Sequence, residues 1–90
     1  MERHEKPRLA RQSVLKWDEA RKAWVVLAPE VVLVPDEIAL DVLRLCDGSR
    51  SVDAIAGELA TRYEANPAEV ETDILEMLQD LVDRGVVGSS

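Results

Sequence analysis

The hydrophobic period of this 90-residue chain changes once, at Pro35, and that change decides what the chain can fold into. Upstream, short runs of β-branched and aliphatic residues alternate with polar or proline-containing turns. Downstream, apolar residues recur at helical spacing. Strands gathered at one end and helices at the other predict an α+β domain, with a small antiparallel sheet laid against a helical layer.

Three strands are expected. Ser13–Trp17 and Trp24–Ala28 are rich in β-formers, and the polar stretch Asp18–Lys22 between them suits a hairpin. Val31–Val34 reads as a third short strand, bracketed by Pro29 and Pro35. Proline has no N–H to give to a ladder, so this strand belongs at or near a sheet edge. Three helices follow. Asp36 caps the first, whose apolar positions Ile38, Val42 and Leu45 repeat at i, i+4, i+7, with Ala39, Leu43 and Cys46 one position on. Asp47-Gly48 ends it. Ser51 caps the second, which carries Val52, Ile55, Ala56, Leu59, Ala60 and Tyr63 on one stripe. Gly57, inside that stripe, suggests close approach of a neighbouring helix. Asn66, Pro67 and Glu69 start the third, with Val70, Ile74, Met77, Leu78 and Leu81 turned inward and Gly85 at its end. The order β-β-β-α-α-α, with a helix-turn-helix over the last two helices, predicts a winged helix-turn-helix-like domain over residues 8–87. Residues 1–7, polar and without period, are expected as a loose tail.

Charge narrows the function. The net charge is −7. Residues 1–24 hold seven basic and four acidic side chains, whereas residues 25–90 hold four and fourteen. Over residues 68–84, Glu69, Glu71, Asp73, Glu76, Asp80 and Asp83 face one cation, Arg84, so the would-be recognition helix carries −5. Such a helix is repelled by a phosphate backbone, which argues against nucleic-acid binding. A winged-helix nucleic-acid binder and a small dimerisation module are the competing readings. No apolar run is long enough to span a membrane, and nothing resembles a signal peptide. A single cysteine excludes an internal disulfide, and the expected location is the cytoplasm.

Catalytic chemistry is hard to build from these residues. His4 lies in the expected tail, and Cys46 reads as a buried structural thiol. Together they cannot close a zinc site, and no glycine-rich phosphate cradle precedes a helix. Asp80 and Asp83 fit a solvated helix face. No enzyme activity, cofactor or metal is expected. The informative feature is the apolar ribbon Val31, Val32, Leu33 and Val34, whose spare main-chain groups suit an incoming peptide strand. Ile38, Asp41, Val42, Leu75, Leu78 and Gln79 are the candidates for a groove wall beside it. Arg8, Arg11, Lys16, Arg21 and Lys22 are candidates to attract an acidic peptide or enzyme.

Several segments carry a family likeness. Pro7-Arg8-Leu9-Ala10-Arg11, Leu15-Lys16-Trp17-Asp18, Trp24–Glu30, Leu43-Arg44-Leu45-Cys46-Asp47-Gly48, Ser51–Ile55 and Ile74–Leu81 with Gly85 resemble the PqqD family over residues 7–87. Val34-Pro35-Asp36-Glu37 departs from the family's usual Leu-Asn-Glu, with Asp36 able to cap in place of Asn. The resemblance implies a small non-catalytic chaperone of pyrroloquinoline quinone (PQQ) biosynthesis. Such proteins bind the ribosomal precursor peptide PqqA along the third strand and present it to the radical S-adenosylmethionine enzyme PqqE. A monomer is expected, with a strand-exchanged dimer as the alternative state.

Overall fold

In the computed structural model, which describes residues 1–89, the elements run β1 (Pro7–Leu9), β2 (Val14–Asp18), β3 (Ala23–Ala28), β4 (Val31–Leu33), α1 (Glu37–Leu45), α2 (Val52–Tyr63), α3 (Pro67–Asp83) and β5 (Val87–Ser89). The chain has the α+β architecture read from its sequence: a three-stranded antiparallel sheet in the order β2-β3-β4, followed by three helices.

Local chemistry explains the boundaries. The Asp18 carboxylate accepts from the Ala20 and Arg21 amides, and Lys22 takes a left-handed φ of 55°, which turns the β2–β3 connection. Pro29-Glu30 makes the two-residue connection from β3 to β4. All three expected helix caps form: Asp36 accepts from the Ala39 amide, Ser51 from Ala54, and Asn66 from Ala68 and Glu69. Gly85, at φ 77°, supplies the left-handed residue after α3.

The pleat sends Leu15, Val26 and Leu33 to one face of the sheet, together with Ala28 and Val31. That face packs on a core of Val42, Leu43, Val52, Ile55, Leu59, Ile74, Leu78, Val86 and Val87. Trp17 and Trp24 pair edge to face with centroids 5.8 Å apart, and the Arg44 guanidinium lies 5.0 Å from the Trp24 ring centroid.

Four features differ from the sequence reading. The third strand of the sheet, β4, stops at Leu33, one residue earlier than the ribbon Val31–Val34. A second, two-stranded ladder joins β1 to β5, pairing Pro7 with Ser89 and Leu9 with Val87. Residues 1–7, expected as a loose tail, lie against the helices: the Glu5 and Arg3 carbonyls accept from the Val52 and Asp53 amides at 3.0 and 2.9 Å. These bonds satisfy two of the orphan donors at the start of α2. Finally, a Cβ built on Gly57 meets nothing within 4 Å, so this glycine serves no close helix approach.

Candidate functional site

The site grows from the position of β4. Its only strand partner among the described residues is β3. With a two-residue connection, Ala28 and Val31 form the closing hydrogen-bonded pair, and Val26 and Leu33 form the next. The main-chain groups of Val31 and Leu33 are therefore spent on β3. Those of Val32 point the other way, to the open edge. Side chains divide by the same parity. Val31 and Leu33 pack on the core, whereas Val32 and Val34 are 51% and 57% exposed.

Beyond Pro35 the chain enters α1, and an apolar groove opens there. Ile38, Leu59, Tyr63, Ala65, Val70, Asp73 and Ile74 enclose about 220 Å³. Ile38 is the most exposed large apolar side chain at 59%. Three helices contribute, because the first turn of α1, the last turn of α2 and the first half of α3 diverge here. The Tyr63 hydroxyl donates to the Asp41 carboxylate, which also pairs with Arg62 at 3.7 Å. The bond to Asp41 pushes the Tyr63 hydroxyl pKa up, reinforced by partial burial and by the charges of Asp41 and Glu37. This contact ties α1 to the end of α2 and sets one wall of the groove.

The ten sequence-derived candidates divide three ways. Val31, Val32 and Leu33 form the open strand and Val34 follows it, Ile38 lines the groove, and Asp41 stands behind it, bonded to Tyr63. Val42 and Leu78 are completely buried and belong to the core. Leu75 and Gln79 lie about 140° and 180° around the helix axis from Val70, at ~100° per residue. They line a different, shallow depression with Met1, whose amine donates to the Gln79 side chain. Tyr63, Val70, Asp73 and Ile74 are groove residues that the sequence reading did not assign to a site. The available signal was that Tyr63 ends the α2 stripe and Val70 begins the α3 stripe, positions with stripe neighbours on one side only.

Cys46 is buried, and burial, helped by the charge of Asp47, pushes its thiol up to about 12. Asp47 organises the α1–α2 connection instead, accepting from the Ser49 amide and hydroxyl and from Arg50. Among the described residues, no group of three His, Cys, Asp or Glu is placed to hold a metal ion, and no helix is long and apolar enough to cross a membrane.

The family model of coenzyme PQQ synthesis protein D (PqqD) matches residues 23–87, from the start of β3 to the first residue of β5. The chain belongs to the PqqD family. A PqqA binding protein of Rhodopseudomonas palustris strain BisB5 is 56% identical over 80 residues, which are 89% of this chain and 78% of that protein. One from Xanthomonas euvesicatoria is 44% identical over 79 residues, covering 88% and 86%. The solution structure of the PqqD truncation of Methylobacterium extorquens PqqCD superposes with a TM-score of 0.76 at 44% identity, covering 91% of this chain and 87% of that one. That truncation is described as a functional, stand-alone recognition element for ribosomally synthesised and post-translationally modified peptides. PqqD from Xanthomonas campestris gives a TM-score of 0.58 at 39% identity, covering 93% of each chain. The stretch that matches the PqqD model contains β4 and every residue of the groove.

Proposed function

We propose that this chain is a non-catalytic, cytoplasmic peptide chaperone of PQQ biosynthesis. It binds the PqqA precursor by adding it as a strand to the open edge of β4 and holds it for the radical S-adenosylmethionine enzyme PqqE. The observation that carries this reading is the edge itself: β4 has a strand on one side only, and exposed apolar side chains at Val32 and Val34 run on to Ile38. Main-chain pairing supplies affinity, and side-chain pockets beside the strand supply selectivity. The relatives named as PqqA binding proteins support the choice of ligand.

Substitution by proline tests the mode of binding. Val32→Pro removes a donor that faces the open edge and leaves the β3–β4 bonds in place. Titration of PqqA into this variant gives strongly weakened binding with the far-ultraviolet spectrum and unfolding midpoint nearly retained. Leu33→Pro, whose N–H is turned towards β3, damages the fold. Binding of PqqA to folded Val32→Pro at unaltered strength would remove strand addition from consideration.

A further inference from the structure

The three-stranded sheet has a second face, and it is bare. Val14, Leu27 and Val32 stand in one row across β2, β3 and β4. Their parity is opposite to that of Leu15, Val26 and Leu33, so their side chains leave the sheet away from the helices. None of the three belongs to the core cluster or packs on it. Val14 is 53% exposed, much like Val32. Val25 shares this face and lies outside the core cluster, but is only 1% exposed. With Lys16, Leu27 and the Glu19 and Ala20 of the β2–β3 connection, it lines a cup of about 390 Å³. An exposed aliphatic row beside a recess is the form of a surface that meets another protein.

Two observations say what covers it. The first is continuity. The row ends at Val32, whose main-chain groups are open to an incoming strand. A strand added there lies ~4.8 Å from β4, and every second side chain of it leaves on this same face. The bare row and the outward side chains of the guest then make one surface. The second is charge. Asp18 and Glu19 at the cup are taken up by Arg21, at 2.8 Å, and by Lys22. Lys16 has no ion-pair partner among the described residues, so the charge left free at the cup is a cation.

We propose that the outer face of β2-β3-β4 seats the modifying enzyme, through an apolar surface with a carboxylate opposite Lys16, and that the enzyme meets this face and the bound peptide as one sheet. This rests on the docking reading above and assigns the seat of the second partner. An enzyme resting on Val14 and Leu27 also touches the outward side chains of the guest strand. The loaded chain therefore binds it more tightly than the empty chain, and by reciprocity the enzyme tightens the peptide by the same factor.

Calorimetric titration with PqqE and PqqA of Rhodopseudomonas palustris tests this. PqqE binds the PqqA-loaded chain roughly 10-fold more tightly than the empty one. Val14→Asp weakens PqqE binding to the loaded chain roughly 10-fold, whereas Val14→Ile retains it. Lys16→Glu weakens it severalfold at ~50 mM salt and less at ~0.5 M salt; its exposed side chain carries the test if Val14→Asp unfolds. Both charged variants, two strands away from the open edge, bind PqqA within about twofold of the unaltered chain. The inference is overturned if folded Val14→Asp and Lys16→Glu bind PqqE at unaltered strength, or if PqqA does not tighten PqqE. It is equally overturned if PqqA binding fails in these variants, which gives the face to the peptide. Dimerisation of the empty chain in sedimentation, abolished by Val14→Asp, gives the face to a second copy and also overturns it. Failure of PqqE to bind the unaltered loaded chain overturns the handover to PqqE as well, whereas strand addition stands or falls with Val32→Pro.

Discussion

Leu78 separates stability from recognition. It has no exposed surface, and it packs in the core beneath the sheet rather than in the groove. Leu78→Ala removes buried methyl groups and leaves a cavity, at a cost of about 3–5 kcal/mol. A 90-residue domain is stabilised by roughly 5–13 kcal/mol. Around the middle of that range, about 4–6 kcal/mol remains, and the unfolded fraction is roughly 0.1% at most. At the lower end the domain is marginal, so the comparison is made near 15 °C, where stability is close to its maximum. Urea unfolding of the variant shows a midpoint lowered in proportion, with the slope unchanged. PqqA affinity, corrected for the folded fraction, stays within about twofold, because no groove atom has been removed. If the folded variant binds PqqA ten times more weakly while Val32→Pro binds normally, Leu78 contacts the ligand and the site has been placed on the wrong side of the molecule.

Other consequences are equally direct. Gly57→Ala stabilises the chain by about 0.5–1 kcal/mol, because a Cβ there meets only open space in mid-α2 and alanine restricts the unfolded chain; a lowered melting temperature would contradict this. Cys46 stays unreactive towards an aromatic disulfide at pH 8 until the protein unfolds, since burial holds its thiol up near 12 against an ordinary value of 9.0. The folded state keeps that proton when the unfolded state has lost it, so stability falls as pH climbs from about 9 to about 12; Cys46→Ser flattens that limb of the stability curve. At the acid end, the Ser49 hydroxyl and amide, with Arg50, hold the Asp47 carboxyl below its ordinary 3.8. Its contribution is present above that value and is lost as pH falls through the lowered one; Asp47→Asn removes this acid dependence, which pH-resolved urea unfolding measures.

Much of the architecture was legible because its signals are local. Asp36, Ser51 and Asn66 announce helix starts through side chains that reach only two or three residues, and all three caps form as the pattern implies. The edge position of the third strand of the sheet follows from the missing N–H of Pro29 and Pro35. The β1–β5 ladder was not legible. Each strand is three residues long, and their partners stand about eighty positions away with no turn between them to advertise the pairing. The groove was half legible. Apolar residues such as Ile38 and Val70 repeat at helical spacing whether or not something covers them, so periodicity cannot separate wall from core. Leu78 and Val42 illustrate the same ambiguity in reverse. The contact between Tyr63 and Asp41 joins residues 22 positions apart and needs three-dimensional information.

The β1–β5 ladder closes the first strand of the chain on the last at one corner. Residues 1–5 run from the start of α2, where Arg3 and Glu5 accept from the Asp53 and Val52 amides, to that corner, where Pro7 stands opposite Ser89. That spot lies on a different sheet from the one whose margin stays unpaired at Val32. Fraying at either chain end thus opens this small ladder and leaves the hairpin that ends at Leu33 paired.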